Sequence, residues 1–206
     1  MRSSFLTLAV SLACFFPASL ATPSSADSPA GLSALCEDPS VVSESYIGDN
    51  KDVKMTAYSC SNVIAGAGND TSDAHKREDD LEEGETSLTK RALGVCGATC
   101  DTHCFNPAGG GPDPNQCKVI SNALRYYSQT SGNVFNIPRN AAVVHVQYAS
   151  CYSFFVNQAN QDLQYCRQDW AAVLDYVAFN CQAPQNAHGG LCVARSQQWF
   201  IQVQHS

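Results

Sequence analysis

The sequence predicts an α+β domain, a single α-β-α layered unit in which a four-stranded, mainly antiparallel sheet lies between helices and disulfides hold the layers together. Three observations lead there. Eight cysteines are spread over residues 96–192, two segments carry apolar residues at helical spacing, and four short runs are rich in β-branched and aromatic residues.

Taken in chain order, the first helix is announced after the Gly109-Gly110-Gly111 break, where Asp113-Pro114-Asn115-Gln116 supplies an Asp cap, a proline at the first helical position and Gln three residues after the cap. Cys117, Ile120, Leu124 and Tyr127 then recur on one side, and Ser131-Gly132 ends the helix. Val143–Tyr148 and Tyr152–Val156 alternate as strands around the short Ala149-Ser150-Cys151 stretch, which makes an antiparallel hairpin. Cys166, Trp170, Val173, Leu174, Val177 and Cys181 form the apolar stripe of a second helix, and Trp170 belongs to the core. Leu191–Ala194 and Trp199–His205 close the sheet around Ser196-Gln197.

Ahead of this unit the chain has a different character. Residues 1–21 read as a signal peptide: Arg2, an apolar run from Phe5 to Phe16, and small residues at Ser19-Leu20-Ala21. That run is too short to span a bilayer, which takes about 20 apolar residues. Residues 22–91 read as an acidic pro-region and linker. They hold fourteen of the nineteen Asp and Glu residues, the sequon Asn69-Asp70-Thr71 and two dibasic pairs, Lys76-Arg77 and Lys90-Arg91. Cys36 and Cys60 frame a small disulfide loop. Cleavage after Arg91 leaves residues 92–206 as the mature domain.

That domain has five Asp, no Glu, one Lys and four Arg, so its formal charge is zero and the chain's −7 belongs to the segment before it. A neutral domain does not suit nucleic acid, whose phosphates call for clustered cations. Cys96, Cys100, Cys104, Cys117, Cys151, Cys166, Cys181 and Cys192 are even in number, which in a secreted domain implies four bridges among 105 connectivities. Zinc at Cys96, Cys100 and Cys104 beside His103 is the rival; structural zinc sites instead use two separated ligand pairs. On a helix the three thiols would share one face and each could bridge to a different part of the core.

Enzyme chemistry fails on inventory. With no Glu, a carboxylate pair must come from Asp101, Asp113, Asp162, Asp169 and Asp175, of which Asp113 reads as a cap and Asp169 and Asp175 as solvated helix positions. The four histidines are scattered. What the domain does offer is thirteen Gln and ten Asn beside aromatic residues, and amides with rings are what neutral, hydroxyl-rich ligands need. The alternative is a cysteine-rich toxin, defence effector or inhibitor acting on a protein.

The order of the eight cysteines, the helix entry Cys166-Arg167-Gln168-Asp169-Trp170 and the C-terminal Trp199-Phe200-Ile201-Gln202-Val203-Gln204-His205-Ser206 resemble the mushroom glycan-binding lectin family spelled "Y-three". The resemblance covers the mature domain and implies an α-β-α layer that binds fucosylated or N-acetylgalactosamine-bearing glycans. The residues themselves point to one face. With a two-residue turn at Ala149-Ser150, Gln147 pairs with Tyr152 and His145 with Phe154, while Gln202 and Gln204 share a face of the last strand. His145, Gln147, Tyr152, Gln202 and Gln204 are therefore the candidate ligand-binding residues. The expected partners are extracellular glycans or glycoproteins, with a homodimer among the expected assemblies; no cofactor, nucleic acid or membrane insertion is expected. Sequencing the secreted protein is expected to find an N-terminus at Ala92, and Thr22 as the only start contradicts the cleavage.

Overall fold

The computed structural model describes residues 31–64, 92–106 and 109–206. The signal peptide, the sequon and both dibasic pairs lie outside the described residues. In chain order the elements are β1 (Cys36–Glu37), β2 (Ser40–Ile47), β3 (Val53–Ser59), β4 (Asn62–Val63), β5 (Leu93–Gly94), β6 (Cys100–Cys104), α1 (Pro114–Ser131), β7 (Val134–Ile137), β8 (Val143–Tyr148), β9 (Cys151–Asn157), β10 (Leu163–Cys166), α2 (Arg167–Asn180), β11 (Gly190–Ala194) and β12 (Trp199–His205).

The two helices, the β8–β9 hairpin and the β11 and β12 strands form where the sequence places them, but the four-stranded α-β-α layering does not. Twelve strands lie in three sheets among the described residues, and the largest has seven in the order β2-β3-β8-β9-β12-β11-β6, every neighbouring pair antiparallel. Two signals account for the difference. Residues 40–59 lie in the acidic stretch, yet Val53, Met55 and Ala57 alternate with Lys54, Thr56 and Tyr58, the period of a strand. Residues 100 and 104 share a face at helical spacing, but an even separation also shares a face on a strand, and here it is β6 that carries them.

The local chemistry of each element is direct. Asp113 caps α1, its carboxylate accepting from the Asn115 amide at 2.8 Å. Gln116, at the position that would complete a capping box, instead accepts from the Ser150 amide at 2.7 Å, while Ser150 Oγ accepts from the Asp113 amide at 3.1 Å. The β8–β9 turn is thereby tied to the start of α1, and the Cys117–Cys151 disulfide clamps the same junction.

Both helices pack on one face of the large sheet. Trp170, Leu174 and Val177 of α2 and Ile120 and Leu124 of α1 are buried against Val144, Val146, Phe155, Ile201 and Val203. Each large apolar side chain so buried contributes about 1.5–3 kcal/mol. Rings organise the centre: Trp199 stacks on Phe155 at 5.5 Å, Phe135 stacks on Trp170 at 5.7 Å, and the Trp170 indole N–H donates to Ser153 Oγ at 3.0 Å. Asp175 is not a solvated position. It joins the helices, accepting from Lys118 and Arg125 of α1, each at 2.7 Å, and from Ser121 at 2.5 Å. Burial pushes its carboxyl up, but the three donors outweigh burial and hold it below its ordinary value.

Five disulfides form among the described residues: Cys36–Cys60, Cys96–Cys166, Cys100–Cys192, Cys104–Cys181 and Cys117–Cys151. The first closes the loop read from the sequence. The three clustered thiols each reach a different element, and a group formed by Cys96, Cys166 and Asp169 holds two sulfurs already bonded to each other. So many bridges mark an oxidising environment. No helix among the described residues is long and apolar enough to cross a membrane.

Two outcomes follow from these contacts. Each bridge adds about 2–4 kcal/mol, so a thiol reductant is expected to abolish the melting transition while a chelator leaves it in place; an equal effect of both contradicts a fold held by disulfides. Asp175→Ala removes three donors' partner and is expected to lower the unfolding free energy by about 1–3 kcal/mol. Because the carboxyl is held low in the folded state, its contribution is present above the ordinary carboxylate range and fades as pH falls below it, which denaturant titrations of both proteins at neutral and acid pH measure.

Candidate functional site

Side chains of the seven-stranded sheet that point away from the helices fall into rows fixed by register. The first row holds Tyr58, Val143, Val156, Phe200 and Val193. Next come Glu44, Thr56, His145, Phe154, Gln202, Leu191 and His103. The third row is Tyr46, Lys54, Gln147, Tyr152 and Gln204. The pairings Gln147 with Tyr152 and His145 with Phe154 are those the turn at Ala149-Ser150 implies, and β12 lies next to β9, so Gln202 faces Phe154 and Gln204 faces Tyr152.

All five candidate residues therefore lie on one face, but in two environments. Gln147, Tyr152, Gln202 and Gln204 are half-buried at its open end. The Gln202 amide N–H donates to the Gln204 carbonyl, which fixes the orientation of both side chains. His145 is shut in, at 1% exposure. Its ring lies 4.7 Å from Tyr152, edge on, and 4.7 Å from Phe154, stacked, and among the described residues neither ring nitrogen has a hydrogen-bond partner. Burial, aided by the charge of Lys54, lowers its pKa to about 3, so the ring is neutral except in strong acid. It is a filler of the face in this state, out of a ligand's reach.

The closure of His145 comes from the segment ahead of the dibasic pairs. β3 lies beside β8, and Leu32, Leu35 and Cys36 pack over Val143, Phe154, Val156 and Phe200. Gly31 turns in the left-handed region, at φ 83°, and a Cβ there would collide with the Gln204 amide. Among the described residues the segment thus covers the apolar row, with Gly31 lying against the amide row at Gln204.

A second concave feature has no counterpart in the sequence reading. A cavity of about 730 Å³ opens at the seam between residues 60–63 and the loops 139–142 and 157–162, with Asn62, Arg139, Asn140, Gln158, Asn160 and Asp162 on its wall. The run Asn157-Gln158-Ala159-Asn160-Gln161-Asp162 was its visible signal, an amide-rich turn between two strands. Asn157 itself is structural, its amide donating to the Ile137 and Gln161 carbonyls at 3.0 Å each.

Each Asp of residues 92–206 has a structural engagement. Asp113 caps, Asp175 joins helices, Asp169 accepts from the Gly97 amide at 2.7 Å, Asp162 accepts from the Arg139 amide at 2.9 Å, and Asp101 pairs with Arg195 at 3.2 Å. Fold and face together define a disulfide-stapled, two-helix β domain with an amide-and-ring surface. No family model, curated protein or solved structure matches the chain.

Proposed function

We propose that this is a secreted, non-enzymatic recognition protein that binds neutral glycans through the open end of its second sheet face. The observation that carries the reading is the placement of Gln147, Tyr152, Gln202 and Gln204 on three adjacent strands, half-buried and side by side. Amides offer a donor and an acceptor on one planar group, the geometry of vicinal hydroxyls, and the Tyr152 ring offers a surface for the C–H face of a sugar. Among the described residues Gln147 makes no side-chain hydrogen bond, so its amide is available to a ligand.

The structural use of all five Asp residues supports a binding role over hydrolysis, and the five disulfides support the secreted compartment. The resemblance to the mushroom "Y-three" lectins supports the same class and favours fucosylated or N-acetylgalactosamine-bearing ligands.

One observation favours the second reading, a protein target. β2 is an edge strand that exposes Val41, Val42 and Tyr46, and such an edge can pair with another chain.

A glycan array separates the two. Sugar-dependent binding is expected, and each lost amide bond is worth about 1–3 kcal/mol. Gln147→Ala and Gln202→Ala should each weaken binding with the melting temperature nearly unchanged. Unchanged affinity in both folded variants removes this surface, and an array without any signal removes the glycan reading.

A further inference from the structure

The five disulfides divide the chain into two covalently independent parts. Cys36–Cys60 lies wholly within residues 31–64, and the other four bridges lie wholly within residues 96–192. Both dibasic pairs fall between these parts. A cut at either leaves two chains with no bond across the junction.

The contact between them is extensive and two-sided. Lys54–Tyr58 of β3 pair with Val143–Gln147 of β8. On the helix side Ile47 and Val53 are buried in the main core, and Gly48 sits so close to Ala123 of α1 that an added Cβ would lie 3.1 Å from the alanine methyl. On the other side Leu32, Leu35, Cys36 and Tyr58 are buried over Val143, Phe154, Val156 and Phe200. Apolar burial on two faces plus a strand ladder is the make-up of a stable interface.

One place in that interface is poorly satisfied. Thr56 and His145 stand opposite each other across the β3–β8 pair, each buried to 1% exposure, and among the described residues neither His145 nitrogen has a hydrogen-bond partner. The charged and titratable groups facing His145 are Lys54 and Tyr58 of β3, Tyr152 of β9, and Glu44 and Tyr46 of β2. Glu44 is engaged by Lys54 at 2.9 Å. Among the described residues no carboxylate is positioned to stabilise an imidazolium, and Lys54 opposes one.

We propose that residues 31–64 are a dissociable cap: a disulfide-closed chain that stays seated on residues 92–206 after cleavage between them, and is held less tightly in acid because it encloses the unpartnered imidazole of His145. Release uncovers the edge of β8 and the ring face of His145, Phe154 and Phe200. The proposal does not depend on the glycan reading, since its readout is dissociation.

The sign is fixed by linkage. A histidine whose pKa is lowered in the capped state favours the cap at pH above its ordinary value and disfavours it progressively as pH falls below. With about 3 in the capped state and the ordinary 6.5 once exposed, the cap should bind about a hundredfold more weakly at pH 4.5 than at neutral pH.

The test uses the full-length secreted protein cut with a dibasic-specific protease. A non-reducing denaturing gel should show the chain holding residues 31–64 separate from the chain holding residues 92–206, and gel filtration at about pH 7.5 should show these two eluting together. At about pH 4.5 the dissociation constant should rise by about two orders of magnitude. In His145→Phe, where a ring of similar size cannot be protonated, the neutral complex should persist and most of the acid weakening should vanish; His145→Leu serves if the Phe variant misfolds. Two chains that separate at neutral pH overturn the seated cap. Equal affinity at both pH values, or acid release unchanged in the histidine variants, overturns the acid release.

Discussion

The rest of the structure depends on one constraint: the central strands of the sheet are apolar on both faces. Phe154 and Phe155 are consecutive in β9 and point in opposite directions, yet both are fully buried. The same holds for Val143 and Val144 in β8 and for Phe200 and Ile201 in β12. An antiparallel sheet can leave one face to water, but only if that face is polar. This one therefore needs two covers. The helices form the first, and residues 31–64 form the second while also supplying two strands that move the sheet's edge away from β8.

The two covers are attached differently. α1 and α2 are joined to the sheet by disulfides at Cys117–Cys151 and Cys104–Cys181 and to each other through Asp175. The second cover is held by packing and a strand ladder, with its own disulfide internal. The helix-side cover is thus permanent in an oxidising environment, whereas the other can be exchanged once the chain is cut. The amide row of Gln147, Gln202 and Gln204 adjoins the described part of the second cover at Gly31, so what that segment does determines how much ring surface the amides adjoin.

Much of this was legible from residues 92–206. Asp113-Pro114 marks α1, the Cys166-to-Cys181 stripe marks α2, and the β8–β9 register follows from a two-residue turn, which is why Gln147 pairs with Tyr152 and His145 with Phe154. The layering was not legible because composition hid pattern. The acidic residues of residues 31–64 lie in turns and on exposed strand positions, while Val53, Ile47 and Tyr58 carry the burial; averaging over the whole stretch to Arg91 erased that alternation. Asp175 was misread for a related reason: helical spacing gives a residue's face, not which charges the neighbouring helix brings to it. The burial of His145 could not be seen without knowing that β3 lies beside it.

Hydrogen exchange of the β8 amides in the cleaved protein tests the central claim most directly. If residues 31–64 remain the second cover, the β8 segment Val143–Gln147 should exchange at neutral pH about as slowly as β9, because its outward amides stay paired to β3. Fast exchange at β8 with β9 still protected would show an uncovered edge and contradict the account.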